Sequence, residues 1–147
     1  MEETHTLIYT CYNKGFDFYA ELNTHVYESI ICLRENGYQE ALAQWGTVAA
    51  PNPTVLMDCL RSRWDNVKGI YFVSMKQTGG DRKINGYDVA KAIQGIDPGA
   101  AIAIIANYNR PAPKRYRNKF GVLDHIYKGA DDCAARVKNF IEQALQT

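Results

Sequence analysis

The sequence predicts an α/β fold, a doubly wound parallel sheet of five strands with helices on both faces. Three observations carry that expectation. Short β-rich apolar runs alternate with segments whose apolar residues recur at helical spacing, which implies right-handed βαβ crossovers. The runs are almost continuously apolar, as strands covered on both faces should be. Gly, Pro and Asn turn signals separate them, with no low-complexity tract, linker or repeat, so residues 1–147 are expected to form a single domain.

The elements follow in order. "HTLIYTCY", 5–12, is the first strand. Val26, Ile30 and Leu33, extended backwards through Leu22 and Phe18, form the stripe of the first helix. Asn23–Thr24 and Phe16 compete as its start, and Gly37 is its natural stop. "YQEALAQW", 38–45, is a weak strand candidate whose Ala, Gln and Glu would suit a helix equally. Pro-Asn-Pro opens a second helix with Val55, Leu56, Cys59 and Leu60 on its stripe. "GIYFVSM", 69–75, is a buried strand. "NGYDVAKAIQGIDPG" is a helix that starts after Gly86 and stops at Asp97-Pro98-Gly99, with Val89, Ala92, Ile93 and Ile96 turned inward. "AAIAIIANY" is the most hydrophobic strand. "RPAPKRYRNKFG" is a Pro-opened basic segment that suits one short helix, the fourth. "VLDHIYK" is the last strand, and "ADDCAARVKNFIEQALQ" the fifth helix. Asp131 and Asp132 suit its positive end, with Val137, Ile141 and Leu145 inward. A flavodoxin-like sheet of this kind places its functional crevice at the carboxyl ends of the strands.

Composition narrows the function classes. Lys and Arg number 17 against 16 Asp and Glu, so global charge makes no case for nucleic acid or a membrane surface. Cys11, Cys32, Cys59 and Cys133 stand singly, without metal-ligand spacing, and predict buried free thiols in a reducing compartment. "MEETHTLIYT" lacks the basic and long apolar regions of a signal peptide, and "GAAIAIIA" is too short to span a bilayer. The expectation is a soluble cytoplasmic protein.

The residues that close the strands are the candidates for function. Thr10, Cys11, Tyr12 and Asn13 follow the first strand. Ser74 and Lys76 close the third, Ala106 and Asn107 the fourth, and Tyr127 and Lys128 the fifth. "GYDVAKAIQGIDPGAAIAIIAN" followed by "GVLDHIYKGADDCAARVKNFIEQAL" resembles the second half of a response-regulator receiver domain. The likeness covers Lys68 to Leu145, and "ENGYQ" echoes the family's turn before the second strand. It implies a CheY-like three-layer sandwich and a place in two-component or phosphorelay signalling.

Position by position, the resemblance puts Ser74 where the family carries its phospho-accepting aspartate. It puts Ala106 at the switch Thr/Ser, His125 at the switch aromatic and Lys128 at the family's lysine, here followed by Gly129 in place of proline. The two carboxylates that would hold Mg²⁺ after the first strand are missing, and the nearest acid, Asp17, is displaced. A serine hydroxyl without that metal is a poor phosphoryl acceptor. The chain therefore resembles an aspartate-less pseudo-receiver, expected to be no enzyme and to hold neither metal nor cofactor.

Several residues keep two meanings. Lys128 is a relic that reaches solvent, or it joins Ser74, Lys76 and Asn107 in an anion or nucleotide-phosphate pocket. "TGGDRKING" is a phosphate-cradling Gly loop or, since it lacks both phosphate-loop patterns, an ordinary surface loop; Asp81 within it is a displaced phosphoacceptor or, beside two glycines, Arg82 and Lys83, a solvated turn carboxylate. Arg110, Lys114, Arg115, Arg117 and Lys119, interleaved with Tyr108, Tyr116 and Phe120, form a solvated helix face or a docking surface. By resemblance, the surface of the fourth helix, fifth strand and fifth helix would take an acidic protein partner or a second copy; nucleic acid suits it less. His125, distant from His5 and His25, suits a satisfied rim position, and no nucleophile elbow surrounds Ser74. The expected function is signal transduction by protein–protein interaction. The alternative is a small-ligand or nucleotide-binding domain on the same sheet.

Overall fold

The computed structural model describes residues 5–12, 17–63, 67–77, 84–106 and 122–146. Five strands and four helices lie within them: β1 (His5–Cys11), α1 (Tyr19–Glu35), β2 (Trp45–Ala50), α2 (Pro53–Ser62), β3 (Val67–Ser74), α3 (Gly86–Ile96), β4 (Ala101–Ala106), β5 (Val122–Tyr127) and α4 (Cys133–Leu145). The strands form one parallel sheet in the order β2-β1-β3-β4-β5, the doubly wound architecture that the sequence predicts.

Strand alternation divides the core in two. Ile70 and Phe72 of β3 face α1 and α4, whereas Tyr71 and Val73 face α2 and α3. β4 repeats the pattern. Its Ala101 and Ala103 make room on the α1/α4 face, where Phe72 meets Phe140 edge to face at 5.2 Å. Ile102 and Ile104 fill the other face. All six residues of β4 are buried, as its composition demands.

Short polar side chains set the starts of α2 and α3. The Asn52 side chain accepts a hydrogen bond from the Val55 amide at 2.9 Å, with Pro53 at the first turn. Asn85 accepts from Tyr87 and Asp88 amides at 2.9 and 3.1 Å, and Asp88 accepts from the Asn85 amide at 2.9 Å, a complete capping box. The helix thus begins at Gly86 itself. Thr24 does not cap α1. Its Oγ1 donates to the Ala20 carbonyl one turn earlier, and the helix starts at Tyr19. Gly37, with φ of 103°, ends it as expected.

Four sequence expectations are corrected. The second strand is Trp45–Ala50, and 38–44 form turns in which Leu42 is buried. On α3, Ala90 is the buried alanine, while Ala92 and Ile96 are exposed. Ala90 and Ile93 stack one turn apart toward the sheet, which rotates Ala92 outward, and Ile96 sits in the last turn, beyond the sheet's cover. Cys32 and Cys59 are only half-buried, at the margins of their helix faces, whereas Cys11 and Cys133 are buried. On α4, Cys133, Phe140 and Ala144 join Val137 and Ile141 inside, and Leu145 packs only at the margin.

Candidate functional site

The carboxyl ends of β1 and β3 lie side by side, with Cys11 paired to Val73 and Ser74 next in the strand. Ser74 is buried. The side chain of Gln77 spans the gap between the two strands. Its Nε2 donates to the Ser74 carbonyl at 2.7 Å and to the Cys11 carbonyl at 3.4 Å, and its Oε1 accepts from Cys11 Sγ at 3.6 Å. Burial pushes the Cys11 thiol up to about 12, so at neutral pH it is a neutral donor rather than a nucleophile. The loop that leaves this point is closed at its base. Lys76 bridges to Asn85, and the Gly86 amide donates to the Met75 carbonyl at 2.8 Å.

Among the described residues, this place offers a hard divalent cation no carboxylate ligand. Such an ion would need several oxygen donors with net negative charge. The two carbonyls that face the gap are already bonded by Gln77, and no Asp or Glu lies between Thr6 and Phe16. Among the described residues, no cluster of three or more His, Cys, Asp or Glu could hold a metal.

Lys128 follows β5, its amide bonded to the carbonyl of Ala106 at the end of β4 at 3.0 Å. Its ammonium forms an ion pair with Asp17, before α1, and holds that exposed carboxyl below its ordinary range. Asp17 is thus the described side-chain partner of Lys128. Gly129, next in the chain, has φ of 84°, a conformation closed to proline.

His125 pairs with Ile104 in the sheet and accepts or donates a 2.7 Å hydrogen bond with the Tyr87 hydroxyl of α3. Arg136 of α4 donates to the His125 carbonyl at 3.3 Å and lies 3.1 Å from Asp132 and 3.8 Å from Asp124. His125 is therefore a satisfied rim histidine. Of the anion-pocket candidates, Ser74 is buried under Gln77 while Lys128 reaches toward Asp17. Asn107 and the proposed docking residues Arg110, Lys114, Arg115, Tyr116, Arg117 and Lys119 lie outside the described residues, as do Asn13 and Asp81.

A polar cluster that the sequence did not announce lies at the opposite end of the sheet. Tyr9 and Tyr71, paired across β1 and β3, stack with ring centroids 4.7 Å apart. Arg63, just after α2, donates to the Tyr71 hydroxyl at 2.9 Å, and that hydroxyl donates to Asp97, just after α3, at 2.9 Å. Arg63 and Asp97 pair directly at 3.0 Å, their side chains only 17% and 14% exposed. Burial raises the Tyr71 phenol, and the Asp97 charge raises it further, so it stays a neutral donor. Gly69 leaves room for it: a Cβ there would lie 2.6 Å from the Tyr71 oxygen.

With this geometry in place, known structures give the comparison. A CheY-like response regulator receiver domain from Methanospirillum hungatei superposes with a TM-score of 0.62 at 10% identity, over 99% of this chain and 95% of that one. The receiver domain of NtrX from Brucella abortus gives 0.61 at 16% identity, over 95% and 98%. A response regulator from Thermotoga maritima gives 0.62 at 14% identity, over 98% and 99%. The fold is that of a CheY-like receiver domain. No protein-family model and no curated protein sequence matches the chain. Among the described residues, no helix of this receiver fold is long and apolar enough to cross a membrane.

Proposed function

We propose that the chain is an atypical receiver domain that acts in cytoplasmic signal transduction by binding other proteins, without Mg²⁺-dependent aspartyl phosphorylation. The observation that supports this most is Gln77. Its neutral amide bonds the carbonyls between Cys11 and Ser74, where a receiver would need a metal and an acceptor carboxylate. In this reading Ser74, at the end of β3, stands for the acceptor and Ala106, at the end of β4, for the switch residue, while Lys128 is engaged by Asp17. Acetyl phosphate with Mg²⁺ should leave the intact mass of the protein unchanged. A stable phosphoryl adduct lost on Ser74→Ala or Asp17→Asn would overturn the proposal.

The basic segment from Arg110 to Lys119 is the proposed docking surface for an acidic protein partner or a second copy. Reversing Arg115 and Arg117 to Glu should abolish capture of that partner, and unchanged capture would refute the assignment. An inorganic phosphate titration followed by amide shifts tests the anion pocket of Ser74, Lys76, Asn107 and Lys128. Thermal-shift screens with nucleotides and flavins should be flat, whereas a positive shift would favour a small-ligand domain.

A further inference from the structure

Asn-Gly pairs occur twice in the chain, at Asn36-Gly37 and Asn85-Gly86, and Tyr follows each of them. Asparagine before glycine is prone to cyclise, because no Cβ shields the glycine nitrogen. By sequence the two pairs are equivalent. The fold makes them unequal.

At Asn85-Gly86 the Gly86 amide is committed to the Met75 carbonyl at 2.8 Å. The Asn85 side chain accepts from the Tyr87 and Asp88 amides, and the Asn85 amide donates to the Asp88 carboxylate. Gly86 is buried, and a Cβ there would lie 2.9 Å from the Ser74 carbonyl oxygen. Rotating this peptide would undo the capping box of α3. Asn36 and Gly37 are both exposed. Among the described residues the Gly37 amide makes no hydrogen bond, and nothing lies within 4 Å of a Cβ built on Gly37. Asn36 is held only by the end of α1: its Nδ2 donates to the Cys32 carbonyl at 2.6 Å, and its backbone amide to the Leu33 carbonyl at 3.0 Å. Cyclisation needs the peptide after Asn36 to rotate from its ψ of 38°, and only the last helical turn resists. Fraying of a helix end is among the least costly openings a fold allows.

We propose that Asn36 is a site of spontaneous covalent modification, and that the fold directs this chemistry to Asn36 and away from Asn85. The Gly37 nitrogen bonds to the side-chain amide carbon of Asn36. The carbon–nitrogen bond of the side-chain amide breaks, and ammonia leaves carrying the proton that Gly37 gives up. Water then opens the cyclic imide at either carbonyl, giving aspartate or isoaspartate. Either product adds a negative charge beside Glu35 at the negative end of α1 and cancels the formal net charge of +1. Isoaspartate also lengthens the backbone by a methylene, which pulls the Tyr38 amide from the Leu33 carbonyl, 3.1 Å away in the intact chain. The Tyr38 hydroxyl accepts from Gln146 at 2.8 Å, so the change reaches the end of α4. The modification is a slow, one-way loosening of the α1–α4 side, independent of the crevice and of any phosphate chemistry there.

The test is peptide mapping of the full chain during incubation in mildly alkaline buffer. The Asn36 peptide should gain the mass that separates an acid from an amide and split into two isomers, at least about tenfold faster than the Asn85 peptide. In urea the two rates should converge, because only the fold separates them. Asn36→Gln, whose longer side chain closes on the backbone far less readily, should keep its isoelectric point through the same incubation. The acidic isoform isolated from the wild type should have a lower urea midpoint and shifted Gln146 side-chain signals. Equal rates at the two sites in the native state, a gap that persists in urea, or an Asn36 peptide that stays unconverted while the unfolded chain reacts would each overturn the inference.

Discussion

The two ends of the sheet are built from opposite chemistries. At the amino end, Arg63 and Asp97 form a nearly buried ion pair, completed by the stacked Tyr9 and Tyr71. At the carboxyl end, where this fold places its sites, the gap between β1 and β3 holds a neutral amide, a neutral thiol and a serine. Buried charge needs complete hydrogen bonding to be tolerated, and only the amino end supplies it. The difference teaches that the stabilising polar network has no overlap with the functional crevice.

The largest effects should therefore come from the amino end. Arg63→Ala leaves Asp97 without its countercharge and Tyr71 without a donor, and should cost about 3 kcal/mol in urea denaturation. Gly69→Ala attacks the same network through space, since its Cβ would collide with the Tyr71 oxygen. It should cost about 1–3 kcal/mol. If both variants were neutral, the network would be ornamental and the contrast between the two ends would fail.

Alkali should weaken both ends, with a sign fixed by burial. Tyr9 and Tyr71 at one end and Cys11 at the other have folded pKa values raised above their unfolded ones. Their stability contribution is intact below the unfolded values and fades as pH rises through the folded ones. For Cys11 the window runs from 9.0 to about 12, at a slope of at most about 1.4 kcal/mol per pH unit. Cys11→Ala should flatten the stability profile in that window, and an unchanged profile would mean that the thiol is not sequestered.

The fold was largely legible because its central strands are written as apolar runs. β4 is buried throughout, and β3 nearly so. β2 escaped because an edge strand is only half-covered. "WGTVAA" carries a Gly and exposed Thr47 and Ala49, so no apolar run marks it. The third strand, expected over 69–75, runs Val67–Ser74, and the fourth is described over Ala101–Ala106, inside its expected run. What filled the crevice was not legible. Gln77 reaches Cys11 across 66 positions, and no local pattern announces such a contact. The Arg63–Tyr71–Asp97 cluster escaped for the same reason: each residue is ordinary alone, and only the packing of α2 and α3 on β3 brings them together.

The carboxyl end should respond weakly. Gln77→Ala removes three hydrogen bonds but exposes their partners to solvent at a loop base, and should cost about 1 kcal/mol. The smallest effect is expected at Lys128. Its partner Asp17 is 78% exposed, so water screens the pair, and Lys128→Met should leave the urea midpoint near that of the wild type. The pair is still readable by titration. Lys128 holds the Asp17 carboxyl down, so Lys128→Met should raise its NMR midpoint toward an ordinary carboxylate value. Any stability the pair adds is present above that ordinary value and fades as pH falls through the lowered one. Any difference between the two proteins should therefore lie at neutral pH and vanish in acid. A loss from Lys128→Met as large as that from Arg63→Ala would mean that the lysine is structural, and the two ends would no longer differ in kind.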